Sequence, residues 1–341
     1  MITHLPPSVA TQYTELLRHS VGPLPDGANL SFKKKKIRNR TIWYLYISLG
    51  SRRTEHYLGE ETGELLETIQ RQKALWQSNQ EDRDLRARLV SMLISGGAYG
   101  LSPAEGRVLG LLEKTGVFLA GGVLIDTFAF QAYANMLGVV WKSGIGTKDI
   151  DLAREIQLPV VIDATKSVNL AQSLLESGMG FVEVPTLNRK SPTTKFRILG
   201  KELSVELLTP MIGKESSTPI LVPALGAYAE PVRFVDFLLE NTQIALLLYR
   251  HGLLVNVPSP ARFALHKLVV SQRRLAAFAE QSKKDIEQAS QLLEVLLEQR
   301  PGDLMLAYDA AGKMGEKFNM QLQAGLQRLN SGLRSSLQDI F

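Results

Sequence analysis

The residues best suited to chemistry are two aspartates two positions apart, in the stretch Thr147-Lys148-Asp149-Ile150-Asp151-Leu152. On a strand, residues i and i+2 point to the same face, so Asp149 and Asp151 would stand side by side while Ile150 and Leu152 turn to the core. Like charges that close repel, and Asp is a poor strand former, so the pair predicts a positive partner. A divalent cation is the economical choice. An all-oxygen donor set with few protein ligands suits Mg²⁺ (or Mn²⁺), which keeps waters and takes phosphate oxygens as further ligands. A third acid on a neighbouring strand would complete a two-metal clamp, and Glu206 in Ser204-Val205-Glu206-Leu207-Leu208 alternates with apolar residues as that role requires. An Asp-hydrophobic-Asp pattern also occurs in surface turns, and an exposed strand position is the competing reading of Glu206.

The segments before the aspartates read as the scaffold such a site needs. Residues 117–127, VFLAGGVLIDT, form an apolar run with the look of a buried strand that ends in small or turn-prone residues. Residues 127–138, TFAFQAYANMLG, predict a helix closed by Gly138, and a loop containing Lys142, Gly144 and Gly146 leads on to the aspartates. A strand, a small-residue turn and a helix would aim backbone N–H groups and a positive helix end at a triphosphate. Residues 181–210 read as a β-hairpin region turning near Leu199-Gly200-Lys201.

Either side of this centre the chain changes character. Residues 29–59 alternate cations with aromatic and aliphatic residues, which predicts a small β-meander with turns at Asn39 and Gly50-Ser51. Its Lys33, Lys34, Lys35, Lys36, Arg38 and Arg40 stand beside Trp43, Tyr44 and Tyr46. That mixture suits RNA held by phosphate contacts and stacking, or a solvated edge strand that resists aggregation. Residues 61–99 predict two helices. Ser102-Pro103-Ala104-Glu105 is a capping box with Pro at the first helical position, starting a helix that runs to Lys114 and stops at Gly116. From residue 231 the chain reads as mostly helical, interrupted by LLVNVP at 253–258, with helices at 260–281, 283–299 and 301–335. The expected class is α+β: residues 1–100 a basic β-meander plus helices, 101–230 a core with a small mixed sheet, and 231–341 a helical domain.

Composition sets the outer limits. With 341 residues and 45% hydrophobic content the chain can bury a substantial core. Asp236, Glu240 and Asn241 break the longest apolar stretch before the roughly 18 to 20 residues of a bilayer span, so no membrane segment is expected. The first residues carry no secretory signal pattern, and zero cysteines exclude disulfides and thiolate metal sites, which favours the cytoplasm. The five histidines show no zinc-binding spacing. A net charge of +5 and a pI of about 9.2 suit a polyanionic substrate such as a nucleotide or RNA.

Taken together, GGVLIDTFAFQAYANMLGVVW followed by TKDIDLA resembles the nucleotidyltransferase superfamily of the DNA polymerase β type. It is most similar to the bacterial branch that groups with abortive-infection and toxin nucleotidyltransferases. The likeness continues through FRILGKELSVELLTP, VPSPARFALHKLVVSQRR and KKDIEQASQLLEVLLEQRP, over roughly residues 100–312. It implies that Asp149 and Asp151 bind the metals that contact the triphosphate, with Glu206 as third carboxylate. It implies too that Gly121-Gly122 or Thr127 holds phosphate, that Lys267 contacts phosphate, and that Asp285 matches a downstream acidic motif. Lys284 and Asp285 are adjacent on a helix, so at most one is expected in the site. Asp126 departs from the family's Gly-then-hydroxyl turn and would place a negative charge near the triphosphate. Glu206 departs from the more usual Asp.

The resemblance implies transfer of an NMP from an NTP to an acceptor hydroxyl; the basic balance and the Lys33 to Arg40 patch favour RNA, with a tRNA end as in the toxin relatives, over a protein or small molecule. An antitoxin or other partner protein would fit the same branch. Two other readings stay open: a catalytically inert nucleotide- or RNA-binding regulator, and a helical half serving mainly as an oligomerisation surface.

Overall fold

Val9, Tyr13 and Leu16 recur at helical spacing and form the buried stripe of α1 (Pro7–Ser20), which follows a two-residue strand, β1 (Thr3–His4). The computed structural model describes residues 2–20, 28–37, 40–49, 52–143, 149–153, 168–186, 191–274 and 278–341. Arg38, Asn39, Gly50 and Ser51 of the meander, and Gly144, Gly146, Thr147 and Lys148 before the aspartates, lie outside the described residues.

The expected meander forms as β2 (Ala28–Ile37), β3 (Arg40–Leu49) and β4 (Arg52–Glu60), paired antiparallel in chain order. Where two helices were expected, one 33-residue helix follows, α2 (Gly63–Ser95), capped by the Thr62 side chain. No Gly or Pro interrupts it between Gly63 and Gly96, so nothing divides it. Leu89, Val90 and Leu93 near its end pack with Val9, Tyr13 and Leu16 of α1. The capping box of Ser102 and Glu105 opens α3 (Pro103–Thr115) as expected, and Gly116 closes it in the left-handed conformation.

In the apolar run at 117–127, residues 117–121 are turn and only β5 (Val123–Ile125) is strand. The Gly122 N–H donates to the Val117 carbonyl, closing residues 117–122 on themselves. β5 then passes without a loop into α4 (Asp126–Leu137), which ends at left-handed Gly138. After β6 (Val139–Val140), which pairs with β1, come β7 (Asp149–Ala153), α5 (Leu170–Leu175), β8 (Phe181–Glu183), β9 (Lys195–Ile198), β10 (Ser204–Pro210), β11 (Ile220–Val222) and β12 (Ala227–Val232).

These strands build a seven-stranded mixed sheet in the order β11-β12-β10-β7-β5, with β9 beside the first half of β10 and β8 beyond it. β10 is parallel to both β7 and β12, and β5 is antiparallel to β7. The turn at Leu199-Gly200-Lys201 joins β9 to β10 as expected.

Beyond residue 231 the chain is mostly helical as expected, and the interruption at 253–258 is one arm of a hairpin. α6 (Val235–Leu239) is followed by a hairpin of β13 (Thr242–Leu247) and β14 (Leu253–Pro258). A short apolar run such as 244–248 reads equally as helix or strand by periodicity, and pairing with β14 decides it. α7 (Pro260–Ser271) stops ten residues short of the expected 281, and α8 (Ala279–Gln299) begins four residues before the expected 283. The expected helix at 301–335 is three: α9 (Pro301–Gly312), α10 (Glu316–Gln327) and α11 (Ser331–Gln338). Gly315, at φ 90°, separates the first two, and Asn330 caps the third. The α+β class holds, and one hydrophobic core runs from Val108 to Leu337, continuous across residue 230. No helix among the described residues is long and apolar enough to cross a membrane.

Candidate active site

Strand register sets the first feature of the site. Asp151 of β7 lies directly opposite Glu206 of the parallel strand β10, and Asp149 lies opposite Ser204. Direct partners on neighbouring strands share a face, so Asp151 and Glu206 are brought together on one side of the sheet. The side chain of Asp149 lies outside the described residues. Lys195, opposite Glu206 on β9, forms an ion pair with it at 3.5 Å.

On the far side of β7, Ile125 pairs with Asp151, which carries the start of α4 to the same end of the sheet. Asp126, the first residue of α4, has φ 53°. Left-handed backbone is costly for a residue with a Cβ, and Asp tolerates it better than most. The next residue, Thr127, is fully buried, and its Oγ1 accepts a hydrogen bond from Lys284 Nζ at 3.1 Å. The structure does not bring Gly121 and Gly122 here. They precede β5 at its other end, where Val123 pairs with Ala153, and their N–H groups donate to the carbonyls of Phe118 and Val117. The junction of strand and helix falls at Ile125 and Asp126 because β5 is only three residues long.

α7 closes the site from above. Lys267 is 96% buried in its middle and donates to Asp126, and also to Asp285 Oδ1 at 2.8 Å. Asp285 Oδ2 accepts from Arg274 Nε at 3.1 Å. Lys284 and Asp285 both reach this region, contrary to the expectation for adjacent helical residues. α8 meets the start of α4 so that Asp285 is buried behind Lys267 while the long side chain of Lys284 reaches Thr127.

Electrostatics favour the charged forms. Burial opposes ionisation of Asp126, but Lys267, with Lys284 and Arg274, outweighs it and holds the carboxyl below the usual carboxylate range. Burial likewise works against the Lys267 ammonium, and Asp126 and Asp285 together overcome it, raising its pKa. His266, buried beside Lys267, is pushed the other way: burial first and the Lys267 charge second lower its pKa to about 3, so the imidazole is neutral.

Asp126, His266, Lys267 and Arg274 face a cleft of about 380 Å³. Asp126, Asp151, Glu206 and Glu230 line it from the sheet side, and His266, Lys267, Arg273 and Arg274 from α7 and the residues after it, with Ile125, Leu208 and Phe263 between. One wall is acidic and the other basic. Among the described residues no three His, Cys, Asp or Glu side chains converge closely enough to hold a metal.

Sequence reasoning missed Lys195, Glu230, His266, Arg273 and Arg274. A signal existed for some of them. Glu230 alternates with apolar neighbours in Ala227-Tyr228-Ala229-Glu230 as Glu206 does, and Arg273-Arg274 follows the helix that carries Lys267.

Residues 104–312 match a family model described as nucleotidyltransferase. No curated protein and no solved structure gives a match.

Proposed function

The chain belongs to the nucleotidyltransferase family whose model spans residues 104–312, and on that premise we propose that it moves an NMP from an NTP to an acceptor hydroxyl in the cleft beneath α7. One observation carries this reading: Asp151 and Glu206 share a rung of the sheet, and a cationic wall of Lys267, Arg273 and Arg274 faces them. Acids on one side suit cations, and bases on the other suit the oxygens of a polyphosphate.

The donor set fits a hard divalent ion, because Asp151 and Glu206 offer carboxylate oxygen alone. With Asp149, two residues before Asp151, they would hold Mg²⁺ or Mn²⁺. When bound, the metal offsets phosphate charge and lowers the pKa of the acceptor hydroxyl. The chain's own groups do the rest. Lys267, Arg274 and Lys284 offset phosphate charge at the start of α4, where the buried Thr127 hydroxyl holds Lys284, and Asp285 orients Lys267. The acceptor oxygen bonds to the α-phosphorus and gives up its proton to solvent. The bond from that phosphorus to the bridging oxygen breaks, and pyrophosphate leaves with the electron pair.

RNA, a tRNA end included, is the acceptor this reading favours, in the NTP-rich cytoplasm and with an antitoxin as a fitting partner. Lys33, Lys34, Lys35 and Lys36 are exposed on β2 beside the rings of β3, and Lys35 Nζ lies 4.4 Å from the Tyr44 ring centroid. Such a surface suits phosphates and stacked bases.

Incubation with each labelled NTP, Mg²⁺ and total cellular RNA or protein tests the proposal. Mg²⁺-dependent label on RNA is the expected result, and label on protein or a small molecule would reassign the acceptor. A second reading, a catalytically inert nucleotide- or RNA-binding regulator, is favoured by the Asp126 carboxylate held against Lys267. Absence of pyrophosphate release with all four NTPs would leave that reading standing and remove the first.

A further inference from the structure

We propose that Asp126 is a tethered competitor for the nucleotide: its carboxylate occupies the Lys267 ammonium that an incoming polyphosphate must capture, so this side chain sets the affinity of the site. The inference rests on the nucleotidyltransferase reading above and adds a determinant that the reading does not contain.

Three observations on the molecule carry it. The first is backbone. Asp126 holds φ 53° as the opening residue of a twelve-residue helix, a conformation that glycine adopts without cost and that a Cβ resists. The fold keeps a carboxylate at a position where the absence of any side chain would be easier.

The second is the order in which a ligand meets the charges. Both residues line the cleft, but 28% of the Asp126 side chain is exposed against 5% of Lys267. An anion entering the cleft therefore encounters Asp126 before it can reach the ammonium behind.

The third is what remains when Asp126 lets go. Lys267 keeps Asp285 at 2.8 Å, and Asp285 keeps Arg274 at 3.1 Å, so the ammonium stays paired and oriented toward the cleft. Lys267 and Arg274 then line the cleft with Asp285 bridging them from behind. A phosphate can take the place of Asp126 without leaving the buried Lys267 ammonium unpaired at any stage, and the released carboxylate is the more exposed of the two partners, which is the condition for exchange.

Binding of Mg²⁺–ATP and of inorganic pyrophosphate to the full chain, measured by titration calorimetry for the wild type, Asp126→Gly and Asp126→Asn, tests this. Asp126→Gly removes the charge and suits the backbone. Asp126→Asn removes only the charge, and thermal melts confirm that each variant is folded. The expected result is affinity raised about tenfold or more in both variants, from loss of one repelling and competing charge near the ligand. Equal affinity in all three folded forms would overturn the proposal, making the Asp126–Lys267 pair a structural staple. Weaker binding in both variants would overturn it too, placing Asp126 among the nucleotide's own contacts. In those two cases the wild type still binds ATP and the nucleotidyltransferase reading stands, whereas no ATP binding by any form would overturn both.

Discussion

Asp151 and Glu206 are direct partners across two parallel strands, so a shift of either strand by one residue would separate the two carboxylates. Their function is therefore separable from the core beneath them. Asp151→Asn and Glu206→Gln should each lower kcat/KM for nucleotidyl transfer by at least about a hundredfold, as loss of one preorganised electrostatic group does elsewhere. Urea unfolding midpoints should barely change, because both side chains are partly exposed.

Lys267 should behave in the opposite way. Its replacement by Met leaves Asp126 without its closest cation and Asp285, itself 98% buried, without its ammonium partner. Breaking a buried pair at one end costs about 3–5 kcal/mol, so Lys267→Met should lower the unfolding free energy by that order in a urea titration.

His266 gives the fold a pH dependence with a defined sign. Its folded pKa lies near 3 against an ordinary 6.5, so below pH 6.5 the unfolded chain binds a proton that the folded chain refuses. Stability from this group is complete above pH 6.5 and is lost as pH falls from there toward 3. Between pH 7 and pH 5 the loss should amount to about 2 kcal/mol. Urea titrations at the two pH values should show a drop smaller by that amount in His266→Gln than in the wild type.

How far this site was legible in the sequence follows from which interactions are local. The capping box at Ser102, the left-handed stop at Gly138 and the Asp-Ile-Asp strand are each set by a few adjacent residues, and all three form as read. The pairing of Glu206 with Asp151 was anticipated only as a third acid on a neighbouring strand, since register is a long-range property. The bond of Asp126 to Lys267 spans 141 positions and leaves no trace in local patterning. The same cause explains β13, whose apolar run becomes a strand only because β14 pairs with it. The helices after residue 301 were overextended because Gly315 and Asn330 are weak breaks on paper and strong ones once the helices pack.

Gly122 separates a packing role from a binding one. A Cβ there would lie 2.6 Å from Val117 Cγ1 and 2.9 Å from the Val117 carbonyl oxygen. Gly122→Ala should therefore destabilise the chain by about 1–3 kcal/mol, the usual range for overpacking. The affinity of the folded fraction for ATP should match the wild type, measured by calorimetry below the transition.

The lysines of β2 offer a test of acceptor class. Replacing Lys33, Lys34, Lys35 and Lys36 by Ala should weaken RNA binding and flatten its dependence on salt. Each lost phosphate contact on a single strand should reduce the slope of log K against log salt by about 0.7. A small-molecule acceptor predicts no change in KM for that substrate.

The separation of Asp126 from Lys267 along the chain also bears on when the protein can act during its own synthesis. At about 5–20 residues per second, a ribosome would deliver α7 roughly ten seconds after α4 has emerged. Until then the sheet could present its acidic rung without the basic wall that faces it, and a nascent chain would have half a cleft. The cell would meet the complete site only after α8, which carries Lys284 and Asp285, had followed α7 out of the exit tunnel.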